Sequence, residues 1–207
     1  MSKVFLFLFF FTLTLAPYSS DVLASPRPTP EGAHLNFDIK LPPNSADWQR
    51  FYLLTPEARQ NLWDFHARKK IPLKGWAWQW RLGWIRVCGE KKQPLWCDDV
   101  LRQGMLDQAM VVRSEAAETY ALVHKGRVTP TVIARLAQAY QLKENFKDDR
   151  PLFVCERILS AIKSLGTKEA IKTGAKLAKA HPKSLAYWTA LNREAPMKAK
   201  DDKTVQF

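Results

Sequence analysis

The 207-residue sequence predicts an all-α protein, and three observations lead there. Between residues 98 and 193 proline and glycine fall at regular intervals, with Thr129 and Thr167 placed to cap the helices after them. Between those breaks apolar residues recur at helical spacing: Val132, Ile133, Leu136, Ala137 and Tyr140 form a stripe too broad to leave exposed. No alternating strand pattern of useful length occurs, with the stretch from Ile85 to Cys88 the one exception.

Taken in order, residues 1–24 read as a secretory signal. Lys3 supplies the positive start, Val4 to Ala16 is apolar apart from Thr12 and Thr14, and Val22-Leu23-Ala24 offers compact residues before a cut. That run is shorter than the roughly 20 apolar residues needed to span a bilayer, so export to a periplasmic or fully secreted location is expected. Residues 25–45 hold five prolines and a glycine, the composition of an extended leader that lies along the surface or stays mobile. Asn44 or Ser45 can cap a short helix reaching Leu54. Thr55-Pro56-Glu57 then supplies a cap, a first-turn proline and an early acid for a helix running to about Arg68. On it Ala58, Leu62, Phe65 and Trp63 form the apolar face, opposite Arg59, Gln60, Asp64 and Arg68. Pro72 ends it.

Residues 46–97 make a tryptophan-rich N-terminal region. Four of the eight tryptophans lie between Trp76 and Trp84. Trp76, Trp78 and Trp80 alternate as in a strand, whereas Trp80 and Trp84 stand one helical turn apart, so the period alone leaves both readings open. Such a run serves either as a flat platform for sugars or as a cap over the first helix of the downstream region. The cap is favoured, with Trp84 the most buried and one of Trp76 or Trp78 left as an aromatic contact for a partner. Cys88 and Cys97 flank a loop containing Gly89 and Pro94 that can fold back on itself, and in an oxidising compartment they are expected to pair. Cys155, inside "LFVCERIL", reads as a buried free thiol of low reactivity.

From Asp98 onward the expected helices span 98–106, 109–123 up to Gly126, and 130–142. A polar loop, "KENFKDDR", separates these from a helix opened by Pro151 and stopped at Leu165-Gly166. One more starts at Thr167 and ends before Pro182, and a last runs from Lys183 to Arg193; residues 194–207 form a flexible tail. Laying "MLDQAMVVRSEAAETYALV" over "RPLFVCERILSAIKSLGTKEA" puts Arg113 on Arg157, an offset of 44 residues, 157 less 113. "LDQAMVVRSEAA" resembles the HEAT-repeat signature, an aspartate in the inter-helix turn followed by an apolar-arginine pair and small residues. The resemblance covers residues 98–193 and implies a short stack of paired helices. It makes Asp107 the residue that ties down the turn, with Arg113, and Arg157 in the second unit, packing along the neighbouring unit. Glu156 departs from the pattern where Val112 stands in the first unit, and the polar insert at 143–150 interrupts the spacing. An irregular helical bundle and a tetratricopeptide-like reading of "AHPKSLAYWTAL" are the alternatives.

The sequence carries no glycine-rich phosphate loop, nucleophile elbow or His-Glu-x-x-His helix, and its four histidines are scattered singly. No catalytic residue, metal or cofactor is therefore nominated. Glu57, Glu115 with Glu118, and Asp98-Asp99 are the acids a wall hydrolase would have to draw on, although nothing selects a pair among them. The formal charge of +12 is unchanged by loss of the signal, where Lys3 and Asp21 cancel, and it favours anionic partners. Lys168, Lys172, Lys176, Lys179 and Lys183, at steps of four, four, three and four, form a candidate anion-docking ridge, or else an ordinary solvated face. The resulting expectation is an exported helical-repeat protein acting as an interaction or scaffold module in the cell envelope, with a protein partner. A cell-wall glycan binder or hydrolase is the rival, an anionic envelope polymer or membrane surface a further partner, and export argues against nucleic acid.

Overall fold

The computed structural model describes residues 37–68, 73–90 and 96–193; the stretch read as a signal, most of that read as a leader and that read as a C-terminal tail lie outside the described residues. The fold is all-α, with almost no strand. Its helices are α1 (Ser45–Leu53), α2 (Pro56–Arg68), α3 (Trp78–Val87), α4 (Cys97–Met105), α5 (Met110–His124), α6 (Pro130–Tyr140), α7 (Phe153–Ser164), α8 (Lys168–Lys179) and α9 (Pro182–Arg193).

Local chemistry sets most of these boundaries. The Asn44 side chain accepts from the Asp47 amide while Asp47 reaches back to the Asn44 amide, a reciprocal cap on α1. Thr129 and Thr167 accept from the amides of Val132 and Ala170, and Pro130 fills the first position of α6, where a missing N–H costs nothing. Gly126 and Gly166 take positive φ just past α5 and α7, which ends both helices. Pro151 does not open α7 as expected. It pairs with Phe146 in a two-stranded hairpin, β1 (Phe146–Lys147) against β2 (Arg150–Pro151), turned by Asp148 and Asp149 at positive φ.

Consecutive helices α4 and α5, α6 and α7, and α8 and α9 neighbour one another; α6 also touches both α4 and α8, and α7 touches both α5 and α9. α5 and α7 lie at the centre, with Val112, Ala116, Ala117, Tyr120, Val154, Ile158, Leu159 and Ile162 buried. Gly174 of α8 lies under the Trp188 ring of α9, so close that a Cβ there would collide with the indole.

The N-terminal region is built differently. The stretch from Ile85 to Cys88 is the end of a helix, not a strand, and α3 settles the ambiguous tryptophan period in favour of the helix. The described end of the leader does not lie free: Phe37 and Ile39 are buried, Ala77 donates to the Ile39 carbonyl, and the Trp80 indole donates to the Leu41 carbonyl. On α2 two sides are exchanged relative to the expected face. Arg59 is buried, donating to Glu90 Oε2 at 2.8 Å and to the Tyr52 carbonyl at 3.1 Å, and Phe65 is exposed. The reason is the pull of the tryptophans on the other side: Trp63 stacks on Trp96 and touches Trp84, and His66 packs edge-on against Trp76.

Candidate functional site

Cys88, closing α3, and Cys97, opening α4, form a disulfide with their Cα atoms 5.4 Å apart. Helices α3, α4 and α5 then converge on the short α4–α5 turn. Asp107 in that turn accepts the Ala109 amide at 2.7 Å, and its two oxygens take the Arg81 Nε and Nη2 at 2.6 and 2.8 Å. Arg81 also donates to the Trp76 carbonyl. Both side chains are almost wholly buried, so the forked geometry matters: each charge meets its counter-charge through two parallel hydrogen bonds.

Arg113 extends this arrangement. It donates to the carbonyls of Asp107 (2.6 Å), Gln108 (3.0 Å) and Glu144 (3.1 Å) and to Asn145 Oδ1 (2.7 Å). Burial pulls its guanidinium below the ordinary arginine value, against the opposing carboxylates of Glu144 and Asp107. Asn145, fully buried, donates onward to the Ala139 carbonyl, and the Cys155 thiol points to the Asn145 carbonyl at 3.4 Å. Cys155 is a buried free thiol whose pKa burial pushes up to about 11, which keeps it protonated and a poor nucleophile near neutrality. Arg157, laid over Arg113 by sequence, is placed quite differently. It lies on the surface, paired with Glu118 of α5 and over the Phe153 ring. The hairpin precedes α7, where the short α4–α5 turn precedes α5.

Beside the Arg81–Asp107 pair opens a cleft of about 450 Å³, walled by Leu73, Ile85, Val100, Leu106 and Val112, with Lys74, Gln103 and Gln108 among its polar lining. Leu106, Met110 and Val111, at the same turn, are 54%, 40% and 45% exposed. Trp78 lies on the face of α3 that carries Arg81 and Ile85, one turn earlier, and is 42% exposed. Trp76, Trp80 and Trp84 are buried, Trp84 the most completely at 1%. The tryptophan run is thus core with one ring outside.

Of the candidate acids, Glu115 faces Arg86 at 3.2 Å, Glu118 pairs with Arg157, Asp99 pairs with Arg102, and Asp98 has Arg102 at 3.1 Å, Arg135 at 3.4 Å and His124 at 3.7 Å around it, while Glu57 is exposed in the first turn of α2. Burial raises the Glu118 pKa against the pull of Arg157. Among the described residues, no three His, Cys, Asp or Glu side chains gather as a metal site would require. Lys168, Lys172, Lys176 and Lys179 are exposed along α8; Lys183 falls on α9 and pairs with Glu156 at 3.4 Å, so helix α9 takes it off the ridge.

Sequence reasoning missed the Arg81–Asp107 pair and Asn145. A lone arginine within a tryptophan run was the available signal for the first; nothing local distinguished Asn145 within its polar stretch. Compared with known proteins, the chain matches no protein-family model, no curated protein and no solved structure.

Proposed function

We propose that this chain is an exported protein-interaction module of the cell envelope, built on a HEAT-like stack over residues 98–193 and capped by the aromatic region 46–97. The observation that carries the reading is the apolar cleft at the α4–α5 turn with Leu106, Met110 and Val111 exposed beside it. Adjoining apolar side chains left in water around a concavity are the usual mark of a docking surface. The buried Arg81–Asp107 fork gives that surface a rigid wall, so a partner meets a preformed shape and loses less to ordering. The stack reading is supported by the neighbouring helix pairs, and by Asp107 and Arg113: the first bonds its own turn, the second reaches across to Glu144 and Asn145. Export is supported by the Cys88–Cys97 bridge, since such bonds persist in oxidising compartments.

The glycan-binding rival draws on Trp78, whose exposed ring has the form of a sugar-stacking residue. A benzophenone side chain placed at Met110 in living cells separates the two. The expected result is a discrete protein adduct after irradiation, absent with the probe at the exposed Gln138 and lost on Leu106→Glu. Adducts only to glycan, formed from a probe at Trp78 and not at Met110, would overturn the proposal, as would wall-suspension clearing by the purified protein.

A further inference from the structure

On a different face from the cleft, α8 carries Lys168, Lys172, Lys176 and Lys179 along one side of a 12-residue helix. Lysines three and four apart on one helix face have their stems about 5–6 Å apart, close to the phosphate spacing of an extended phosphodiester strand and to that of every second phosphate of a polyphosphate chain. All four are exposed, and no ion pair to any of them occurs among the described residues. Between residues 163 and 193 there are seven lysines and arginines and one acid, Glu169. The helix does not have to fold in order to present them. Ala170, Gly174, Leu177 and Ala178 lock its other side, with Gly174 seated under Trp188.

A shallow, open depression of about 460 Å³ lies among Lys168, Glu169, Lys172, Thr173 and Lys176, all of them on α8. The lysines stand in a single row along the helix, which matches a linear chain of anions better than a plane of them. The row is all lysine: the ammonium is a compact point charge that takes phosphate oxygens from any direction, and α8 carries no arginine, whose planar fork would add bidentate recognition of phosphate or carboxylate alike. Thr173 adds a hydroxyl donor at the depression. Lys183, held by Glu156, marks where the free charges stop.

We infer that the α8 lysine row binds a linear phosphate-linked polyanion, with Lys172 and Lys176 at its centre and Lys168 and Lys179 at its ends. The test measures binding of the purified protein to inorganic polyphosphate of tens of phosphates, to polygalacturonate, and to vesicles of phosphatidylglycerol and phosphatidylcholine in equal parts, across a salt series. Polyphosphate should bind tightest, with log affinity falling against log salt at a slope of about −3, as four contacts on a single-stranded polyanion give. The triple variant Lys172→Gln, Lys176→Gln, Lys179→Gln should lose on the order of tenfold or more and flatten the slope to about −1. The triple variant Lys40→Gln, Lys125→Gln, Lys147→Gln, equal in charge and exposed elsewhere, should lose less than about threefold. Equal losses in the two variants reduce the effect to bulk charge and overturn the inference. Equal affinity for polygalacturonate overturns the phosphate assignment, and vesicle binding at least as tight with the same lysine dependence assigns the row to a membrane surface instead.

Discussion

The aromatic N-terminal region and the helices from α5 to α9 solve the same problem of burying helices by opposite means. The first brings large rings together from distant places: Phe37 on Trp80 at 4.9 Å, Phe51 on Trp84 at 5.1 Å, Trp63 on Trp96 at 5.3 Å, with a disulfide beside them. The second relies on aliphatic and small side chains, Ala116, Ala117, Ala139, Ala161, Ala170 and Ala178 among them, and on capped, regularly ended helices. Big rings tolerate little rearrangement and hold a fixed shape; small residues let helix backbones approach and make each junction cheap but individually weak. The cleft sits where the two kinds of packing meet.

That contrast can be broken hardest at the junction. Arg81→Met leaves Asp107 buried without its cation and should cost about 3–5 kcal/mol in chemical unfolding. The double variant with Asp107→Asn should cost clearly less than the two single losses added, which a double-mutant cycle reads directly. Next comes the disulfide: replacing Cys88 and Cys97 by Ala should remove about 2.5 kcal/mol, as loop entropy gives for a sequence separation of 9, measured by thermal melts. On the other side, Gly174→Ala forces a methyl against Trp188 and should cost about 1–3 kcal/mol, with a shift in the Trp188 emission reporting the displaced ring. If Gly174→Ala proved costlier than Arg81→Met, the division into a rigid aromatic half and a compliant small-residue half would fail.

How far the fold can be read from sequence follows the same division. From α5 to α9 the chain announces its helices locally: Thr129-Pro130, Thr167, Gly126 and Gly166 each act within a few residues, so expected and observed boundaries lie close together. Upstream, what decides α2 and α3 is contact with rings far along the chain. Nothing local tells Arg59 to turn inward and Phe65 outward, because Glu90 and the Trp63–Trp96 stack make that choice. The same holds at the site: the resemblance of "LDQAMVVRSEAA" to a HEAT-repeat signature singles out Asp107 and Arg113, whereas Arg81 acquires its role only when α3 packs beside the α4–α5 turn. Pro151 departs from its expected place for a related reason, since its hairpin partner Phe146 lies across a turn made of two aspartates, which carry no obligatory turn signal.

The smallest expected effect is a pH dependence between the two regions. Burial holds the His124 imidazole below its ordinary value of 6.5, against Asp98 at 3.7 Å, with Arg127 and Arg135 adding to the depression. A depressed histidine contributes stability that is present above its unfolded value and lost as pH falls through the folded one. His124→Gln should therefore flatten the decline in stability as pH falls from neutrality through the mildly acid range, leaving melts at pH 8 nearly unchanged. An identical decline in the variant would assign it to other groups.

The chain of bonds from the Trp76 carbonyl through Arg81, Asp107, Arg113 and Asn145 to Cys155 also bears on how this protein can be divided. A cut in the loop between α5 and α6 would leave Arg113 upstream without two of its acceptors and Asn145 downstream without its donor, both in places closed to water. Neither fragment could close its own interior. The aromatic region and the helices from α4 to α7 are therefore tied into one block by buried polar bonds, which a single chain break within it would leave unpaired.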